Sequence, residues 1–150
     1  MEFVVNEWLL EYIRRDSEPQ KREDACKFLE HLNNKPDKLM IKKKSRFSDK
    51  YYWYMKEGEH DDRTKEIFKF LGYLLRDSNK TTMMEEEEVP QLPEDIAKNC
   101  PPDDIYLMEL ALFSNDRTII TTDRKLKEKM SPFPILKVLI FSDFIQIYDC

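Results

Sequence analysis

Apolar residues recur along this chain in two rhythms. EFVV at 2–5, KLMIKKK at 38–44, TIITT at 118–122 and ILKVLIF at 135–141 are short runs of strand length, and TTMME at 81–85 is a fifth candidate. Between them the period changes to that of a helix. Trp8, Leu9, Tyr12 and Ile13 share a face within 6–15, ended by Ser17 and Pro19, and Ala25, Phe28, Leu29 and Leu32 share one within 22–33. Ile67, Phe68, Leu71, Leu74 and Leu75 mark the clearest helix, 62–76. Residues 47–57 fit either state, with Phe47, Tyr51, Tyr54 and Met55 favouring a helix; further helices are expected at 103–115 and 124–130, and a short terminal element at 142–148. The glutamate run after residue 84 reads as a solvated loop. Strands alternating with helices predict one domain over 1–150: a three-layer α/β/α fold around a mainly parallel sheet of four to five strands.

Composition narrows the picture. With 41% hydrophobic and 12% aromatic residues, 150 residues can bury a core of their own. No apolar run approaches the length of a membrane span, and MEFVVNEW is not a basic region leading into an apolar one, so neither a membrane segment nor a secretory signal is expected. Cys26, Cys100 and Cys150 are too few and too scattered for a disulfide framework or a cysteine zinc site, which points to a reducing, cytoplasmic setting. Only Gly58 and Gly72 are glycines, which excludes a Gly-rich phosphate loop. The formal net charge is −5, but the charge is segregated. Residues 35–50 hold seven basic residues against Asp37 and Asp49, whereas 81–95 hold six acids and no base. Such a field can steer an anionic partner to one face.

Candidate chemistry concentrates where strands end and helices begin, the edge at which an open α/β sheet presents its ligands. Asp123 stands between the strand at 118–122 and the helix that follows, and Asp104 follows Pro101, Pro102 and Asp103 at the start of another helix. Either acid can serve only as an N-cap, meeting free amides and the positive helix end. Together they can also bind a divalent cation, which prefers carboxylate oxygens. Asn6 and Glu7 follow the first strand and open onto the same edge if that strand is parallel to 118–122; Asn6 can instead cap the first helix, and Glu7 can be a first-turn acid. Glu109 stands among Leu107, Met108, Leu110 and Ala111, where an acid is either on a solvated face or paired. In KKKSRFSDKYYWY, residues 42–54, Lys42, Lys43, Lys44, Arg46 and Lys50 can neutralise phosphates. Tyr51, Tyr52, Trp53 and Tyr54 can stack on unpaired bases or divide between core and surface. His31 and His60 are isolated and read as surface residues, and no Ser/His/Asp or Cys/His nucleophile is visible.

The segment DDIYLMELALFSNDRTIITTDRKL, residues 103–126, resembles the PIN domain, the fold of many metal-dependent nucleases and of VapC-type toxins. The likeness lies in an acid, Asp104, an apolar helix carrying Leu110–Ala111, and a strand written Thr121–Thr122–Asp123 with a basic residue and a leucine behind it. SDFIQIY after the last strand is similar to the family's tail, and the element order is similar from end to end. The residue match is confined to about the last third of the chain. The family places an Asp at the end of the first strand, where this chain has Asn6 with Glu7 beside it. The family's middle acid has no clean counterpart: Asp49 and Glu57 are candidates, and Tyr51 occupies the nearest equivalent place.

The resemblance implies a Mg²⁺- or Mn²⁺-dependent endoribonuclease in which Asp104, Asp123 and Glu7 hold the metal, Asn6 assists, and the basic segment positions RNA. A toxin-type nuclease would pair with an antitoxin-like protein or form a homodimer. Asn6 in place of an acid also motivates a degenerate, non-catalytic domain that binds RNA or a protein. A receiver-like domain is a third reading, weakened because VVNEW lacks paired acids after the first strand; the order of strands in the sheet discriminates it.

Overall fold

A computed structural model describes residues 1–14, 18–57 and 60–148. Five described strands, β1 (Glu2–Val5), β2 (Lys38–Lys42), β3 (Thr81–Met84), β4 (Thr118–Thr121) and β5 (Lys137–Ile140), form one sheet in the order β3-β2-β1-β4-β5, every pairing parallel. The helices are α1 (Trp8–Ile13), α2 (Pro19–Asn34), α3 (Arg46–Glu57), α4 (Asp62–Arg76), α5 (Glu94–Asn99), α6 (Ile105–Phe113), α7 (Arg124–Met130) and α8 (Phe141–Tyr148). No described helix is long and apolar enough to cross a membrane.

The alternation of side chains along each strand builds the layers. Phe3 and Val5, Leu39 and Ile41, and Ile120 face a core shared with α1, α2, α3, α4 and α8. Val4, Met40, Ile119 and Val138 face the opposite core, shared with α5, α6 and α7. The three inner strands β1, β2 and β4 are buried on both faces, which is why they read as continuous apolar runs rather than alternating ones. This is the three-layer α/β/α fold.

Element ends moved for identifiable reasons. Pro19 does not merely break a helix; it is the first residue of α2, where its missing N–H and fixed φ are suited. Ser17 and Arg15 lie outside the described residues. The ambiguous stretch 47–57 is helical, with Phe47, Tyr51 and Tyr54 buried and Tyr52 and Trp53 exposed, so the aromatic run divides between core and surface. The helix expected over 103–115 opens as a single 3-10 turn, Pro102–Asp104, before α6. A 3-10 turn at Glu86–Glu88 lies within the glutamate run read as loop, and helix α5 lies where no element was expected. Helix α5 was invisible because Ile96 is its only buried side chain, too few for a periodicity. The terminal element is a helix, α8, packed by Phe141, Phe144, Ile145 and Tyr148.

The chain begins in the middle of its sheet. It moves outward through β2 and β3, then crosses to the other side of β1 for β4 and β5. The reversal lies between β1 and β4, and the crevice outside the carboxyl ends of those two strands is where sheets of this kind bind ligands. The order also excludes a receiver-like topology, in which β1 lies between β2 and β3.

Candidate functional site

The predicted acids meet at that crevice. From β1 the chain passes through Asn6 and Glu7 into α1, and the Trp8 indole N–H donates to the Ile120 carbonyl of β4 at 2.9 Å. This buried bond fixes the start of α1, and with it Glu7, against the end of β4. On β4, the buried Thr121 offers Oγ1 to the Asp123 amide at 3.1 Å. Asp123 Oδ1 in turn accepts from the Leu126 amide at 3.1 Å, so Asp123 does cap α7, with its side chain otherwise open to solvent. Asp104 is different. It precedes α6, yet its carboxylate makes no capping bond. Asn6 does not cap α1 with its side chain either; only its backbone carbonyl accepts, from Leu9.

The charges in this crevice act on one another. Burial, and after it the negative charges of Glu7, Asp123 and Asp103, push the Asp104 carboxyl above its usual range, with Arg46 opposing them. Tyr106, on the first turn of α6, has its phenol pushed up by burial and then by Glu7 and Asp104. Its hydroxyl lies by the Phe47 backbone without a hydrogen bond of ordinary geometry, and the buried Asn6 Oδ1 has no donor. The positive group is Arg46, the first residue of α3. Its Nε lies 2.9 Å from Glu7 Oε1 and its Nη1 2.7 Å from Asp103 Oδ2. Hydrogen bonding to Asp103 foremost, and the Glu7 charge, hold its guanidinium firmly protonated.

The donors fit a hard cation in kind: three carboxylates, one of them half-buried among like charges, and a neutral oxygen with no partner. They do not form a finished cage. Among the described residues no three His, Cys, Asp or Glu side chains are arranged to hold a metal. Arg46 supplies part of the positive charge instead.

Other expected residues lie elsewhere. Lys42 pairs with Glu86 at 3.7 Å, Lys43 with Glu85 at 2.6 Å and Lys50 with Glu11 at 2.8 Å. With Arg46 between Glu7 and Asp103, only Lys44 of the five basic candidates stands exposed without an acid partner among the described residues; its φ of 57° places it in the left-handed region. Asp49 is exposed on α3, Tyr51 packs toward α4 beside Gly72, and the side chain of Glu57 lies outside the described residues. The middle position is thus filled by an arginine reaching in from α3 rather than by an acid. Glu109 is half-buried and raised by burial, with Lys42 and then Glu86 as its charged neighbours, so it belongs to the edge of the site nearer β2. His60 is not a free surface residue: its Nε2 lies 2.7 Å from the Tyr54 carbonyl and its ring packs on Phe68. His31 is half-buried, its ring against Tyr148. Cys26 and Cys100 are free and buried; Cys150 lies outside the described residues.

Sequence reasoning missed Tyr106, the ion pairs of Arg46, and the role of Asp103 as more than an alternative cap. The only available signal was the doubled acid after Pro101–Pro102. No family model, curated protein or solved structure matches the chain at a significant level.

Proposed function

We propose that this chain is a metal-dependent endoribonuclease of PIN-like type. One observation carries the reading: four carboxylates, Glu7, Asp103, Asp104 and Asp123, gather at the switch point of a parallel sheet, with Asp104 half-buried and raised first by that burial and then by its acidic neighbours. Arg46 offsets part of that repulsion, and a bound cation would offset more. The resemblance of 103–126 to PIN domains supplies the reaction class.

Glu7, Asp104 and Asp123 would hold Mg²⁺ or Mn²⁺, with Asn6 Oδ1 as a neutral donor. Bound there, the metal would offset charge on the scissile phosphate and make water a stronger nucleophile at neutral pH. The protein's part is positional. Thr121 and the Leu126 amide orient Asp123, and the Trp8–Ile120 bond holds Glu7 across from it. Arg46, half exposed at the rim, can leave an acid for a phosphate oxygen, where its planar fork is suited to bind. The RNA substrate, a cytoplasmic setting and an antitoxin-like or homodimeric partner belong to the same proposal.

Arg46 also favours a second reading. A guanidinium already bridging Glu7 and Asp103, with Asn6 where an acid is expected, suits a domain that binds RNA or a protein without cutting. Cleavage of single-stranded RNA with Mn²⁺, with Mg²⁺ and with EDTA separates the two. Under the first reading the wild type cuts with metal, and Asp104→Asn with Asp123→Asn slows cleavage by on the order of a hundredfold or more. Wild type that is folded and inert with both metals overturns it.

A further inference from the structure

We propose that the groove between α3 and α4 is a subsite for single-stranded RNA, one base lying in its cavity and the flanking phosphates on Arg76, Lys69 and Lys65. The identity of the ligand rests on the RNA reading above; the site itself does not include the acid cluster. The cavity has a volume of about 600 Å³, with Phe47, Tyr51 and Tyr52 of α3 on one side and Gly72 and Arg76 of α4 on the other. A second hollow of about 380 Å³ continues it along α4, sharing Tyr51, Gly72 and Arg76 and reaching Lys65 and Lys69.

Three features single this groove out. The first is charge. Lys65, Lys69, Gly72 and Arg76 stand at i, i+4, i+7 and i+11, one face of α4. None of the three cations forms an ion pair among the described residues, in contrast to four of the five bases of segment 42–50. Unpaired cations in a row are what a phosphate backbone requires. The second is the glycine. A Cβ at Gly72 would lie 2.8 Å from the Tyr51 hydroxyl oxygen, so the bare backbone there is what lets the phenol lie across α4 and shape the wall. The third is apolar exposure. Tyr52 at the mouth is 66% exposed and Met83 of β3 is 37% exposed, a flat apolar rim on which a base can stack. The same helix carries both sites, since Arg46 at the start of α3 reaches the acids and Tyr51, one turn on, lines the groove.

The test is fluorescence anisotropy of a 5′-labelled octauridylate with the full chain in EDTA, over a range of salt. Lys69→Ala with Arg76→Ala is expected to lower the slope of log affinity against log salt by about 1.4, two contacts at about 0.7 each. Tyr52→Ala is expected to weaken binding roughly tenfold with the slope unchanged, as loss of one stacked base would. All three residues are exposed, so the variants retain the fold. If these variants bind like wild type, the groove is not the subsite, whatever RNA the protein binds elsewhere. If wild type does not bind the octauridylate at low salt, the subsite is likewise overturned. The nuclease reading is decided separately, by cleavage with metal: an Asp104→Asn/Asp123→Asn variant is expected to keep the wild-type slope here while failing to cut there.

Discussion

Two aspartates of the same crevice behave differently at the scale of single residues. Asp123 has a local task, holding the Leu126 amide, whereas Asp104 has none and is left against Glu7 and Asp103. Arg46 tempers that repulsion, and its removal is informative. Arg46→Ala frees Glu7 for a cation, so Mn²⁺ binding measured by calorimetry is expected to tighten roughly fivefold, equivalent to about 1 kcal/mol. Binding no tighter than wild type would favour the non-catalytic reading. Cys100, near the same crevice, is pushed up to about 11 by burial first and the Asp104 charge second. Its thiolate is therefore scarce at pH 8, and iodoacetamide is expected to label it far more slowly in the native protein than after denaturation, as followed by mass spectrometry.

Whole elements are held at the site by a few long-range bonds. Helix α1 has only six residues and could not persist alone. Its Trp8 stacks 4.3 Å from Phe141 and donates to the Ile120 carbonyl, so it is anchored to both β4 and α8. Trp8→Phe keeps an aromatic ring but leaves that buried carbonyl without its donor, at a cost of about 1–3 kcal/mol. The expected result is a lower denaturant midpoint, with RNA cleavage reduced because Glu7 rides on the same turn. Helix α4 shows the converse. It was legible in full, 62–76, because a strong apolar face coincides with an Asp61 cap on the Thr64 amide. Its opposite, cationic face carried meaning only once α3 was seen beside it. Helix α6 is apolar almost all round, which is the sequence mark of a helix buried between sheet and neighbouring helices.

Across the whole molecule, Asp37 ties the amino ends of β1 and β2 to Tyr148 of α8. The Tyr148 hydroxyl donates to Asp37 Oδ2 at 2.6 Å across 111 residues, and the Met1 ammonium lies 2.6 Å from Oδ1. Burial alone would push the Asp37 carboxyl up; the hydrogen bonds from Met1 and Tyr148 outweigh it and leave it below its usual range. A carboxyl lowered in the folded state stabilises above its unfolded pKa of about 3.9, and that contribution is lost as pH falls through the folded value. Asp37→Asn is therefore expected to lose about 1.5–3 kcal/mol at pH 6 by urea denaturation, with the gap to wild type closing toward pH 3 and below. A gap that does not narrow would mean that packing, not charge, sets the loss.

What the sequence determined by itself was local and periodic: five strands, the principal helices, the layered parallel architecture, and Asp104 and Asp123 at element ends. Apolar spacing encodes each element because burial acts on every turn or alternate residue separately, and strand–helix alternation leaves few topologies for a parallel sheet. What only the tertiary structure decided was partnership. Strand order brought Glu7, Asp104 and Asp123 into one crevice from positions more than a hundred residues apart at the extremes. It also turned Arg46 from an expected phosphate contact into the partner of two acids, and left Lys65, Lys69 and Arg76 along one groove without acid partners among the described residues. Electrostatic roles depend on distances through space between residues remote in the chain, and no periodicity records those.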